Sequence, residues 1–473
     1  MNIAALLSAC TLATTALAVP KAIEVSEDGR DSLRLADAPP AGVLRGIGSL
    51  PFGLSPDVEI MLRRQIGGLA VADMNADGFN DLIAVCYISN SFPPYTDWRE
   101  MIFYGSAAGI ATTPGWISDN QTHAGDVQIG DVNGDSNPDI VVIRGGSVRA
   151  DAVQVYFGSP TGPATSPGYS SNIPGRAWGT SGDLVDMDND GDLDLVTTNQ
   201  GLSPDPFRPI MIFRNGGAGL GVTPDWTSAE AEISNGVTHA DILGSDGLPE
   251  IIAAKWVNFQ SSIYENIMGT PVPFAFMSVP MSSADKGAAA GDVTGDGLIE
   301  VAFGGDPVRL YQSVHGALLP LWEASPPFGG SQEIRLHDAD GDGDLDLADV
   351  IFGDGRAHIY ENNSGVLDTT PTWTFDAPEV GTAIVFGDLN NDGRDDLVVG
   401  YSGNVSVRVF YGQAPDCPAD LALPEGVLDL ADLQTFISAF LAGDELADLA
   451  PPAGVLDLAD VQAFVGAFLT GCP

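Results

Sequence analysis

The sequence predicts an all-β fold, a seven-bladed β-propeller followed by a small α-helical module, and three observations carry that prediction. An acidic motif of nine residues recurs along the chain, first as "DMNADGFND" at Asp73 and last as "DLNNDGRDD" at Asp388. Short apolar and aromatic runs of strand length follow each copy. After residue 412 the pattern changes to a second repeat, with apolar residues at helical spacing.

The chain has 473 residues and a formal net charge of -45, with a sequence pI near 4.1. So strong an acidic balance argues against nucleic acid or anionic membrane as partners and suits cation binding or solubility outside the cell. Its 57 Gly and 33 Pro are spread between apolar runs, as turns between short strands are, rather than gathered in one disordered tract.

Residues 1–18, MNIAALLSACTLATTALA, are apolar and end in Ala16-Leu17-Ala18, the pattern of a secretory signal peptide with a small-residue cleavage site. "LSAC" around Cys10 offers lipoprotein processing as the alternative. No later stretch has the roughly 18 uninterrupted apolar residues of a membrane-spanning helix. Residues 19–54 form an N-terminal segment before the first repeat.

The acidic motif then appears at Asp73, Asp131, Asp186, Asp241, Asp292, Asp338 and Asp388, at intervals of 58, 55, 55, 51, 46 and 50 residues. Each copy leads into an apolar run such as "DLIAVCY" or "DIVVIRG", then into an aromatic run such as "MIFYG" or "VQVYFG". Several units add a Pro/Trp strand, for example "TTPGWISD". With the run before each loop this makes about four strands per unit, and such units stack radially as propeller blades with short protected edges. Cys86 lies inside "LIAVCYI", where a buried inert thiol is expected.

Over residues 55–412 the loop, its spacing and the following strand resemble the FG-GAP and VCBS repeat family, which includes the propellers of integrin alpha subunits. Oxygen-bearing side chains at alternate positions of a short turn suit a hard cation such as calcium. No Glu stands at the twelfth position as in an EF-hand, and strand-like sequence surrounds that position, so the loops read as calcium sites within β-hairpins. The ligands expected are Asp73, Asn75, Asp77 and Asp81; Asp131, Asn133, Asp135 and Asp139; Asp186, Asp188, Asp190 and Asp194; Asp292, Thr294, Asp296 and Glu300; Asp338, Asp340, Asp342 and Asp346; and Asp388, Asn390, Asp392 and Asp396. The residue at the seventh position offers its carbonyl. This gives about six structural Ca2+ sites. In the unit at Asp241, Leu243, Gly244 and Ser245 break the register, and no metal is expected there; in the second loop Ser136 replaces the usual glycine. Catalytic carboxylate pairs need two acids in unlike surroundings converging on one substrate, whereas these repeat around a ring.

The resemblance implies that ligands bind on the face opposite the acidic loops. Long connections between second and third strands would bring Tyr95, Trp98, Arg99, Phe207, Arg208, Trp256 and Tyr264 to that face, and aromatic and Arg side chains suit interface hot spots or stacking on sugars. The connections between blades add His123, Asp126, Trp178, Asp183, His239, Asp285 and Lys286 near the channel mouth, without a nucleophile and base motif.

Residues 413–473 contain "ADLALPEGVLDLADLQTFISAFLAGDEL" and, 28 residues later, "ADLAPPAGVLDLADVQAFVGAFLTGCP". Leu433, Phe436 and Phe440 in the first copy match Val461, Phe464 and Phe468 in the second, at the spacing of an amphipathic helix. The segment resembles the dockerin-like tandem modules, ending in Gly-Cys-Pro, of secreted bacterial proteins. That resemblance implies a cohesin-like or cell-envelope partner. Asp429, Asp432, Asp457 and Asp460 are retained, but Ala422, Pro451, Pro452 and Ala453 stand where oxygen ligands belong and the loops are one residue longer, so calcium binding here does not follow the pattern. Cys417 and Cys472 bracket the module and are a candidate disulfide in an oxidising compartment.

The reading is a secreted or surface-held bacterial protein, a calcium-stabilised propeller that binds an extracellular protein or polysaccharide and carries an attachment module. The alternatives are a carbohydrate-active enzyme, such as a polysaccharide lyase, on the same propeller, or a purely structural surface component.

Overall fold

The structure is a computed structural model that describes residues 50–87, 98–121, 123–145, 149–174, 176–200, 209–230, 233–244, 246–255, 260–280, 287–314, 317–324, 330–413, 430–442 and 458–470, with short pieces at 23–24, 34–35, 419, 421, 447, 449 and 456. The chain divides into two units, Met1–Gly46 and Ile47–Pro473. In the first, Ile23–Glu24 pairs antiparallel with Arg34–Leu35. The candidate signal segment and its Cys10 lie outside the described residues, as do Cys417 and Cys472.

In the second unit, five antiparallel sheets of four strands follow one another along the chain. In the first of them, Ala124–Gly130, Asp139–Arg144, Val153–Tyr156 and Tyr169–Ser170 pair in sequence order. The second strand of each sheet is buried at every position, for example Asp194–Asn199 and Asp346–Ile351. Strands covered on both faces read as continuous apolar runs, and such runs marked them in the sequence.

The expected seven blades are not found among the described residues. Five four-stranded blades stand alone, and the strands of the first and last repeats run together in one eight-stranded sheet. The physical reason is twofold. Asp396–Gly403 extends far enough for Ser402 and Gly403 to pair with Gln65 and Arg64 of Arg64–Ala72. From upstream of the first acidic loop, Val58–Ile60 adds itself to the edge of Val407–Phe410. The fold is therefore mostly β, a propeller with two C-terminal helices.

The core lies between sheets rather than within them. Val141 and Ile143 of one sheet meet Leu195, Met211 and Phe213 of the next. Another cluster joins Ile66, Leu82 and Phe103 of the first repeat to Val398, Val407 and Val409 of the last. Polar staples reinforce these seams. Just after the third strand, Asn215, Asn266 and Asn362 each donate from Nδ2 to a carbonyl in the preceding acidic loop, of Val132, Met187 and Val293, all at 2.8 Å. Removing Asn362 takes the donor from the buried carbonyl of Val293 and from the half-buried one of Leu345. Asn362→Ala is expected to cost about 1–3 kcal/mol, read as a lower urea midpoint with unchanged slope. An unmoved midpoint would remove the staple from the account.

First strands line a central channel, and a β-bulge recurs in them. Register slips by one residue at Gly67, Gly125, Thr180, Asn235, Gln332 and Thr382. A bulge leaves one residue out of the ladder and raises the local twist, and here the residue left out faces the channel.

The C-terminal helices are α1, Leu430–Ala442, and α2, Leu458–Thr470. Phe436 and Phe464 stack with centroids 4.1 Å apart, joined by the partly buried Leu433, Phe440, Val461 and Phe468. Asp432 and Asp460, in the first turns, are fully buried and accept from the backbone of Leu421 and Leu449 at 2.8 and 2.9 Å. No helix among the described residues is long and apolar enough to cross a membrane.

Candidate functional site

The acidic loops share one hydrogen-bonded frame. Each joins the end of a first strand to the start of a second, as Asp186–Asp194 does between Gly179–Val185 and Asp194–Asn199. In that loop Asp186 accepts from the backbone N–H of Asp190 and Gly191 at 3.1 and 2.9 Å, and Asp190 accepts from Asp192 at 3.0 Å. Asp73, Asp292 and Asp388 make the same pair of bonds in their loops. The turn requires left-handed backbone, found at Asn189 (φ 57°) and Gly191 (φ 96°). Glycine at the second of these avoids the cost that a side chain would add there.

The carboxylate in the ninth position has a role that sequence reasoning missed. Asp81, Asp139, Asp194, Asp346 and Asp396 are buried, and each accepts one backbone N–H from its own loop and one from the end of the third strand. Glu300 takes two from its loop, at Val293 and Thr294. Burial, opposed by these bonds, raises the carboxyl of Asp81 to about 6, of Asp396 to about 7 and of Asp346 to about 8. The signal was available: an acid at the head of an apolar strand in every copy is a buried anchor as much as a ligand.

These residues fit a hard cation. One oxygen from each of Asp186, Asp188 and Asp190 lies within 4.8 Å of the others, and so it is for Asp338, Asp340 and Asp346. Asp338 Oδ1, Asp340 Oδ2, Thr294 Oγ1 and Glu300 Oε1 are buried with no hydrogen-bond partner, which is costly for oxygens unless something else satisfies them. A carboxylate that accepts two N–H groups still has lone pairs to offer a metal. Asn75, Asp77, Asp131, Asn133, Asp135, Asp296, Asp342, Asn390 and Asp392 occupy the matching loop positions, exposed or partly exposed.

The loop at Asp241 keeps the frame with one residue inserted. Gly247 donates to Asp241 at 2.7 Å, and Glu250 accepts from Ile242 and Leu243 at 2.8 and 2.9 Å. What it lacks is an oxygen at the third position, where the buried Leu243 stands.

A second candidate lies on the propeller axis. Two adjoining cavities, of about 370 and 270 Å³, share the bulged residues as lining. The smaller is bounded by Gln65, Tyr87, Gln200 and Phe352, at the starts of first strands and the ends of second strands, hence at the blade ends opposite the acidic loops. The larger contains Asp126, Glu333 and Arg335. Asp126 accepts from Val127, Gly182 and Ser181, and Glu333 pairs with Arg335 and accepts from Ile384 at 3.2 Å, so each carboxylate ties its strand to the next sheet. Burial, partly offset by Arg335, raises Glu333 to about 7.

Among the residues expected on the ligand face, Trp98 and Arg99 are half-buried, and Trp98 packs on the core with its ring 4.3 Å from that of His123. Tyr264 is corrected: "QSSIY" is a third strand, Gln260–Tyr264, not a loop, and its tyrosine is fully buried, donating to Glu230 at 3.0 Å. Tyr95, Phe207, Arg208 and Trp256 lie outside the described residues, as do Asp285 and Lys286. Asp126, Asp183 and His239 sit on first strands rather than in connections, and His239 Nδ1 is 2.6 Å from Asp183. Trp178 donates to the Tyr87 hydroxyl at 3.2 Å. Burial, aided by Arg149 and Arg144, lowers His123 to about 4, so it is neutral at physiological pH. Phe352 and Gln332 drew no notice in the sequence, because nothing local marks a residue as facing the axis.

Among curated proteins no sequence matches this chain. Its fold is similar to that of a crystal structure of BBS1N in complex with ARL6DN, soaked with mercury, at 13% identity and a TM-score of 0.52 over 76% of this chain and 95% of that one. The lead-soaked crystal of the same complex gives 13% identity and a TM-score of 0.53 over 78% and 98%. These likenesses concern the fold alone. Residues 131–197 and 338–399 match the FG-GAP-like repeat, so this propeller carries FG-GAP-like repeats.

Proposed function

We propose that this chain is a secreted, calcium-stabilised binding module that takes an extracellular protein or glycan at the channel mouth opposite its acidic loops. The observation that carries the reading is the cavity of about 270 Å³ at that mouth, where Gln65, Gln200, Asn235 and Gln332 offer amides beside Tyr87 and Phe352. Amides with nearby rings suit sugar hydroxyls or a peptide backbone, and Phe352 is an exposed ring at the rim. The signal-like residues 1–18 support secretion, and calcium follows from the donor sets of the loops.

The C-terminal pair serves as an attachment module in this reading. α1 exposes Leu430, Ile437 and Leu441, and α2 exposes Leu458, Val465 and Leu469, each matched to its counterpart 28 residues away. Large apolar side chains repeated on the surface of two small helices suit a protein partner, here one of the cell envelope.

A screen of glycans and envelope proteins, with calcium held constant, tests the reading. Phe352→Ala and Gln332→Ala should weaken any ligand by about tenfold or more each, as truncation of central contacts does. Unchanged binding in both variants would move the site elsewhere, and turnover of any glycan would overturn a purely binding role.

A further inference from the structure

We infer that the residue facing each acidic loop from the third strand sets whether that loop takes a divalent cation, with Arg214 standing in for the ion in the loop 186–194 and Glu361 adding a carboxylate to the loop 338–346. This rests on the reading of the loops as cation sites.

The two positions are equivalent. Leu195 pairs with Phe213 and Leu347 with Tyr360, so the next residues outward, Asp194 with Arg214 and Asp346 with Glu361, face one another across the ladder. Side chains directly opposite on an antiparallel pair lie on one face within about 5.5 Å at Cβ.

In the third repeat Arg214 Nη1 lies 2.5 Å from Asp194 Oδ2 and 3.3 Å from Asp188 Oδ2, so it joins the ninth and third positions of the loop. Its other terminal nitrogen donates to the carbonyl of Gly269, at the tip of the separate two-stranded hairpin Asn266–Ile267/Thr270–Pro271 that links the third and fourth strands of the next blade. That hairpin closes over the loop so tightly that a Cβ at Gly269 would come within 2.5 Å of the Asp188 Cβ, and Gly269 has φ +82°. The guanidinium is therefore held from two sides, and it supplies positive charge between two carboxylates that an ion would otherwise bridge.

In the sixth repeat the same position carries Glu361, which is 5% exposed. The register sets it directly opposite Asp346, where the third repeat has Arg214. The loop below it is where Asp338 Oδ1 and Asp340 Oδ2 are buried without a hydrogen-bond partner, and where oxygens of Asp338, Asp340 and Asp346 lie within 4.8 Å of one another. Asp338 accepts from Gly343 at 2.9 Å through Oδ2, while its buried Oδ1 has no hydrogen-bond partner. Oxygens of Asp186, Asp188 and Asp190 also lie within 4.8 Å of one another, but there the Arg214 guanidinium already bridges Asp188 and Asp194, whereas the loop 338–346 gathers an extra acid and orphaned oxygens. Calcium affinity in loop sites rises with the number of charged ligands, which makes 338–346 the tightest site and 186–194 a site that needs no ion.

The test uses the full chain, freed of metal by a chelator, dialysed, and titrated with Ca2+ by calorimetry while bound ions per chain are counted by mass spectrometry. Asp340→Asn should lower the ion count by one, whereas Asp188→Asn, at the matching position, should leave it unchanged. Arg214→Gln should raise the count by one, and Glu361→Gln should weaken the tightest site by about tenfold. A lower count in Asp188→Asn, or an unchanged tightest affinity in Glu361→Gln, would overturn the assignment while leaving the loops as cation sites. If Arg214→Gln does not fold, the Asp188 and Asp340 variants decide the question, since each removes one charge and no volume. Should the unaltered chain bind no divalent ion at millimolar calcium, the reading of the loops fails instead.

Discussion

Arg408→Met is expected to lower the unfolding free energy by about 3–5 kcal/mol, because it removes one member of a buried ionic cluster and leaves the others uncompensated. Arg408 is 5% exposed at its side chain and bonds Glu59 at 3.1 Å and Glu379 at 3.0 Å. Its guanidinium also lies over the rings of Tyr401 and Phe375, with centroids at 4.8 and 5.5 Å. Glu59 belongs to Val58–Ile60 and pairs in register with Arg408, so the cluster secures the strand that arrives from upstream against the last strands of the propeller. Glu59→Gln should cost under about 1 kcal/mol, since Glu59 is half-exposed and water already screens it. Urea unfolding of both variants, with the slope compared, checks the contrast. Equal losses in the two would mean that the cluster does not secure the closure.

Chelation of calcium is expected to produce the other large effect, a fall in melting temperature that grows larger as pH rises. An ion held at a hundred times its dissociation constant stabilises a site by about 2.7 kcal/mol, and the loss multiplies over the loops that bind. Without metal the ninth-position acids are raised by burial: Asp81 to about 6, Asp396 to about 7 and Asp346 to about 8. In the unfolded chain they return to the ordinary carboxyl range near 4. Between about pH 4 and about pH 8 the folded chain therefore holds more protons than the unfolded one, and its stability falls as pH rises. With calcium bound the ions displace those protons, folded and unfolded carboxyls are both ionised above about pH 5, and stability should be nearly flat with pH. Thermal melts near pH 5.5 and near pH 8, in chelator and in calcium, give the four values needed. The same slope in both conditions would mean that these carboxyls are not coupled to an ion.

The acidic frame was legible because it is local: alternate oxygens, a left-handed turn and an apolar strand are all set by neighbouring residues. The second strands were legible for a similar reason, since burial on both faces leaves an unbroken apolar run such as "DLVVGYS". Blade separation was not. Whether Ser402 and Gly403 reach Gln65 and Arg64 depends on residues over three hundred apart in sequence, and no local pattern reports such pairing. Tyr264 was misplaced because "QSSIY" has two serines where an apolar strand was sought, although Ser261 and Ser262 are themselves buried in the ladder. Arg214 and Glu361 were passed over because each is an ordinary charged residue until the register sets it opposite an acidic loop.

The bulges of the first strands bear on how such a protein diversifies. A residue left out of the ladder is not bound by the strand's alternation, so changing it alters the axis while the paired residues of the strand keep their register. The freedom is uneven around the ring. At Gly67 a Cβ would come within 2.0 Å of the Ala124 carbonyl oxygen, and at Gly125 within 2.8 Å of that of Gly179, so backbones there touch and glycine is fixed. Thr180, Asn235, Gln332 and Thr382 already carry side chains into the cavities. One arc of the channel is thus open to mutation while the other is mechanically frozen, and new binding preferences should accumulate on the open arc first.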